Sequence, residues 1–71
     1  MKKSTEIELS LILIKLKEER LKTGMSQVDF GEKIGLSQNA YYKLETGKTK
    51  LDMYRFLAIC KILDIEPKSF F

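Results

Sequence analysis

Residues 25–48 read "MSQVDFGEKIGLSQNAYYKLETGK". This run decides the fold because one device occurs in it twice. Ser26 follows the apolar Met25, and Ser37 follows the apolar Leu36. A serine so placed accepts a hydrogen bond from a backbone N–H two or three residues on, a donor that the first helical turn leaves unpaired. The apolar residue before it packs against a residue one turn into the helix, Phe30 in the first case and Tyr41 in the second. Asp29, three residues after Ser26, can answer the cap. Gly35 and Gly47 end the two segments, since glycine enters the left-handed conformation without steric cost. The stretch therefore predicts two short helices joined through "GLSQ". Adjacent side chains on a helix point about 100° apart, so Tyr41 and Tyr42 have different jobs. The staple with Leu36 turns Tyr41 inward beside Leu44. Gln38, Asn39, Tyr42 and Lys43 are left on other faces. Val28, Phe30 or Gly31, and Ile34 are expected on the inner face of the earlier helix.

Upstream lies "IELSLILIKLKEERLKT". Leu9, Ile12 or Leu13, Leu16, and Arg20 or Leu21 recur at intervals of three or four, which reads as a helix. The alternation Ile7, Leu9, Leu11, Leu13 also fits a short strand, but the helix-favouring residues from Lys15 to Lys22 continue the helical pattern. Thr5 with Glu8 forms a candidate capping box and Ser10 is a rival cap. Residues 1–8 are accordingly expected as an N-terminal arm or irregular start, and 9–71 as the folded domain. Downstream, "DMYRFLAICKIL" carries Met53, Phe56, Leu57, Cys60 and Leu63 at helical spacing, with Ile59 and Ile62 widening the stripe. A fifth short helix is expected to begin at Pro67, where a missing N–H costs nothing, with Glu66 as its cap and Ile65 and Phe70 as a third staple pair. The expected fold is all-α, a compact bundle of five short helices with a helix-turn-helix at the second and third.

Composition narrows the chemistry. A chain of 71 residues is one domain near the lower size limit for a single core. Its one cysteine, Cys60, allows no intrachain disulfide and sits in the apolar run "FLAICKIL", as a small buried hydrophobe would. Histidine is absent, which excludes a Cys/His zinc cluster and any triad with an imidazole base. There is no phosphate loop and no carboxylate pair in an evident cleft. Neither an enzyme nor a cofactor is expected, and a sensing domain is not expected to fit. The run "LSLILI" is too short to cross a bilayer and follows acids rather than a basic segment. The expected compartment is the cytoplasm or nucleoid. The net charge of +3 is mild and by itself says little about nucleic acid.

Position says more. Two short helices with this joint read as a helix-turn-helix, whose second helix presents its first residues to base edges in the major groove. Those residues are Gln38 and Asn39, with Tyr42 and Lys43 one turn later. Amide side chains bind adenine N6 and N7 in a bidentate manner. Gln27 opens the earlier helix, where free N–H groups and the dipole favour phosphate. Lys43, Lys48 and Lys50 form a positive rim that would set affinity and salt dependence rather than sequence choice. The plain alternative for the amides and the lysines is a solvated polar surface.

The segment "LKEERLKTGMSQVDFGEKIGLSQNAYYKLETGKTK", residues 16–50, resembles the lambda-repressor-like helix-turn-helix family of the Cro/Xre type. "GMSQ", "GLSQ" and "LETGK" carry the likeness without a gap, and "DIEPKSFF" is similar to the family's ending. The resemblance implies a sequence-specific regulator of transcription that binds double-stranded DNA, usually a repressor on a two-half-site operator. It implies base contacts from Gln38, Asn39 and Lys43 with Tyr42 at the edge, and backbone contacts from Gln27. It also implies a salt bridge between Arg20 and Glu45 that holds the first helix to the third. The chain departs from the family pattern at four places. Phe30 stands where leucine is usual, Gly31 where alanine is usual, Tyr41 where isoleucine or valine is usual, and Lys17 where arginine is usual. A homodimer is expected through an apolar surface of Leu9, Ile12, Ile62, Phe70 and Phe71, which together exceed what a small core needs. The alternative is an antitoxin or other module of the same fold whose main partner is a protein.

Overall fold

The two serine caps set the centre of the molecule. In the computed structural model, which describes residues 2–71 and the side chains from Thr5 onward, Ser26 accepts from the Asp29 N–H and Ser37 from the Ala40 N–H, each at 3.1 Å. They open α2 (Gln27–Lys33) and α3 (Gln38–Glu45). Before them runs α1 (Lys2–Thr23); after them come α4 (Met53–Leu63) and a 3-10 turn at Pro67–Phe70. The described residues contain no strand, so the alternation at Ile7–Leu13 belongs to a helix.

Two expected boundaries move. Residues 2–8, expected as an arm or irregular start, are the first turns of α1. No glycine or proline interrupts "KKSTEIEL", so nothing stops the helix from running through Thr5, which lies inside it and is no cap. Met1, the first residue of that expected arm, lies outside the described residues. The fifth helix is a single 3-10 turn, with Ser69 N–H donating to Glu66 O and Phe71 N–H to Lys68 O. Four residues are too few for an α-helical ladder, and the tighter bonding suits such short pieces. Glu66 occupies the cap position, but its side chain caps nothing.

The core is drawn from every element. Leu13 and Leu16 of α1, Phe30 and Ile34 at α2, Tyr41 and Leu44 of α3, Phe56, Ile59 and Cys60 of α4, and Phe70 are buried together. Packing resolves the alternatives left by spacing: Leu13 rather than Ile12 is the buried choice, and Arg20 rather than Leu21. It also removes three expected core residues. Val28, Met53 and Leu57 are exposed. The reason for α4 lies in its rotation, which two contacts fix. Phe56 packs edge-to-face on Phe70 at 5.3 Å between centroids, and Arg55 donates from Nη1 to Ile34 O at 2.6 Å. With those held, Ile59 and Cys60 point inward and Met53 and Leu57 do not.

The α2–α3 joint depends on one glycine. A methyl group on Gly31 would lie 2.9 Å from Leu36 O and 3.2 Å from Tyr41 Cβ. The backbone of the turn therefore passes directly over this position, and the Leu36 N–H donates to Gly31 O at 2.8 Å. Glycine in a helix costs about 0.5–1 kcal/mol in entropy; here it permits an approach that alanine obstructs. The C-terminus of α4 is closed differently. Asp64 adopts the left-handed conformation at φ 57°, and Ile65 N–H reaches back to Cys60 O.

Candidate nucleic-acid interface

α3 separates its side chains cleanly. Tyr41, Leu44 and Glu45 are buried, while Gln38, Asn39, Tyr42 and Lys43 are exposed. The four exposed residues occupy a continuous arc of the helix, as expected at 100° per residue. The two tyrosines thus part company. Tyr41 is fully buried with its ring 5.3 Å from that of Phe30; Tyr42 is 42% exposed. The Lys48 ammonium stands 6.0 Å from the centre of the Tyr42 ring, at the edge of cation–π range. Beside this face, an open cleft of about 420 Å³ between α3 and the start of α4 includes Asn39, Lys43, Lys50 and Arg55 in its lining. Asp52 is the one acid among the residues that line it, and its carboxylate is occupied in accepting the Arg55 backbone N–H that begins α4.

What holds α3 in place is a buried polar cluster. Arg20 of α1 donates from Nε to Glu45 Oε2 at 2.7 Å and from Nη2 to Oε1 at 3.2 Å. Its Nη1 donates to Met25 O at 2.8 Å, at the entry to α2. The Tyr41 hydroxyl donates to Glu45 Oε2 at 2.7 Å, and Gln27 Nε2 to Oε1 at 3.1 Å. One carboxylate therefore joins α1, α2 and α3. No buried side-chain nitrogen or oxygen among the described residues lacks a partner, which is the condition under which a buried charge is tolerated.

The ionisation of the cluster follows from these contacts. Burial pushes the Glu45 carboxyl up, but hydrogen bonds from Arg20, Tyr41 and Gln27 and the Arg20 charge outweigh it. The carboxyl is held below its ordinary value. The hydrogen bond to Glu45 raises Arg20 in turn. Burial first, then the bond to Glu45, raises the Tyr41 phenol well above its usual range.

The pair of Arg20 and Glu45 stands as the resemblance implies. Tyr41 fills the usual aliphatic slot without strain on polarity, because its hydroxyl finds the carboxylate. Gln27, expected to contact the DNA backbone, has its amide half-buried and bonded to Glu45, so one of its two N–H groups is taken. Sequence reasoning missed Arg55, which closes the C-terminal carbonyl of α2 and lines the cleft. It also missed Lys15, which donates to Ser69 O at 2.6 Å and ties α1 to the 3-10 turn. Neither has a local signal, since both contacts span more than twenty residues of chain.

Two short capped helices joined at a tight turn, with the second exposing amides and a lysine on one arc, define a helix-turn-helix domain. The family model described as helix-turn-helix matches residues 16–70, and the chain belongs to that family, of the lambda-repressor, Cro and Xre type. Its members are DNA-binding transcriptional regulators, and double-stranded DNA is the partner this membership supports. No curated protein and no solved structure matches the chain. Among the described residues, no helix is long and apolar enough to cross a membrane.

Proposed function

We propose that the protein is a sequence-specific repressor or small operon controller, acting as a pair on two half-sites about one helical turn of DNA apart. α3 is the reading helix. Gln38 and Asn39 meet base edges at its start, Lys43 and Tyr42 meet bases or adjoining phosphates one turn later, and Lys48 and Lys50 hold the backbone. Gln27 contributes its remaining N–H to a phosphate while its other N–H stays on Glu45. The observation that supports this reading best is the split of α3, whose exposed arc carries Gln38, Asn39, Tyr42 and Lys43 while Tyr41, Leu44 and Glu45 are buried and Glu45 is paired with Arg20. A rim of lysines around amides favours a polyanion with readable edges over an apolar protein partner.

Selection from random DNA duplexes, followed by titration of the enriched sequence at two salt concentrations, tests the proposal. The expected result is one enriched motif, bound about 10³-fold or more tighter than random duplex. Enrichment of nothing, with weak and purely salt-dependent binding, refutes it.

A further inference from the structure

The apolar surface expected to pair two copies is largely spent: Phe70 is buried, Ile12 and Ile62 are partly taken into the core, and only Leu9 and Phe71 are exposed. The cleft between α3 and the start of α4 is a different case, because its cations have no internal counterpart. Three elements each bring one: Lys43 from α3, Lys50 from the loop that follows, and Arg55 from α4. The loop is folded back on α3, with the Lys48 and Thr49 N–H groups donating to Lys43 O at 2.8 and 3.2 Å. The ion pairs among the described residues are Arg20 with Glu45 and Lys22 with Glu19, so no carboxylate is paired with any of the three. Asp52 also lines the cleft, but its Oδ1 accepts the Arg55 backbone N–H at 2.7 Å.

Arg55 differs from the two lysines. They are exposed, whereas Arg55 is half-buried and its Nη1 donates to Ile34 O at 2.6 Å. Closing the end of α2 explains that contact, since carbonyls are free there and the helix dipole favours a cation. It accounts for one of the five N–H donors of a guanidinium. It does not account for the charge, which a partly buried group carries at a cost unless an opposite charge meets it. A planar fork with donors to spare, fixed at one corner and set beside two lysines, is matched to a phosphate.

We infer that this cleft seats a phosphate of the DNA backbone, and that Arg55 is the side chain that fixes it there. Lys43 and Lys50 add attraction. Because the same guanidinium holds the Ile34 carbonyl at the end of α2, the phosphate, α2 and α4 are joined through one residue. Such a contact carries no sequence information, but it sets the position of α3 on the duplex. The inference rests on the reading of α3 as the helix that faces DNA.

Titration of a random-sequence duplex with the full chain, at a series of salt concentrations, tests it. Arg55→Gln is expected to weaken binding and to reduce the slope of log affinity against log salt by about 0.9, the share of one phosphate. Arg55→Lys keeps the charge and is expected to keep the slope. Loss of a helix cap alone would lower the melting temperature of Arg55→Gln and leave its slope unchanged; an unchanged slope overturns the inference, as does an equal loss of slope in Arg55→Lys. A second measurement needs no variant. The chain has two arginines, Arg20 and Arg55, so the side-chain Nε–H resonances of the natural chain can be followed by NMR as duplex is added. The Arg55 signal is expected to shift and that of Arg20, closed in by Glu45, to stay. An unmoved Arg55 signal refutes the seat, and a shift as large with inorganic phosphate alone at equal ionic strength assigns it to free phosphate instead of DNA. The reading of α3 fails separately. With no motif enriched from random duplexes, a slope that falls in Arg55→Gln still upholds the seat; with a motif enriched and the slope unmoved, the seat alone falls. Absence of binding to any duplex overturns both.

Discussion

Removing a single oxygen from the core tests how α3 is held. Tyr41→Phe keeps the ring against Phe30 and deletes only the hydroxyl that donates to Glu45 at 2.7 Å. A hydrogen bond to a charged group contributes about 1.5–3 kcal/mol. Two features decide where in this range the loss falls. Glu45 Oε2 keeps the Arg20 Nε at 2.7 Å, and Oε1 keeps Gln27 and Arg20 Nη2, so the carboxylate is not orphaned. The variant also no longer buries a hydroxyl. Both place the loss at the lower end, about 1.5 kcal/mol. In a domain of this size that is roughly 6–12 °C in Tm. Urea unfolding measures it directly, and the midpoint should fall with an unchanged slope, since the exposed surface is the same. A companion, Arg20→Ala, should cost about 3–5 kcal/mol because it leaves the Glu45 charge buried with neutral partners only. Tyr41→Phe stability within about 0.5 kcal/mol of the natural chain, or above it, would refute the reasoning: desolvation of the hydroxyl would then cancel its bond, and the polar cluster would owe nothing to Tyr41.

Other outcomes follow from the same geometry. Gly31→Ala should destabilise by about 1–3 kcal/mol despite its better helix propensity, because the new methyl meets Leu36 O at 2.9 Å and backbone must shift; a gain in thermal stability would contradict the close approach. Asp64→Gly should stabilise by roughly 0.5–1 kcal/mol, the left-handed penalty of a side chain less the added chain entropy of glycine, as read from the unfolding midpoint. Glu45 has a folded pKa below its unfolded one, so its contribution is present above the unfolded value near pH 4.3 and is lost as pH falls through the folded value. The acid limb of the stability curve should flatten in Glu45→Gln. Tyr41 has the opposite sign: its raised pKa contributes stability below about pH 10 that is lost as pH rises above it, a loss absent from Tyr41→Phe. In DNA binding, Gln38→Ala should reduce discrimination between the selected site and random duplex more than it reduces nonspecific affinity, whereas Lys48→Ala should weaken both alike. Equal behaviour of the two variants in competition titrations would overturn the roles assigned to them.

Local chemistry determined a great deal of this molecule. Ser26 and Ser37 begin helices because a hydroxyl near the free N–H groups of a first turn needs no distant partner, and both caps form as spacing predicts. The staple of Leu36 with Tyr41, four places past the cap, fixes which tyrosine turns inward, so the exposed arc of Gln38, Asn39, Tyr42 and Lys43 was legible from residues 36–44. The pairing of Arg20 with Glu45 was available only through likeness to a family, since nothing in its spacing brings the two side chains together. Tertiary structure decided the rest. It chose Leu13 over Ile12 on α1, and on α4 it buried Ile59 and left Leu57 exposed, because a helix apolar on several faces has no rotation of its own until, here, Phe56 and Arg55 are docked. It placed Phe70 inside and took the amide of Gln27 for Glu45. It also turned the tyrosine in an aliphatic slot into a donor and the glycine beside it into a necessity. Contacts over one turn are written in adjacent residues; a contact between α1 and α3 depends on where the chain returns, and no short window of sequence contains that.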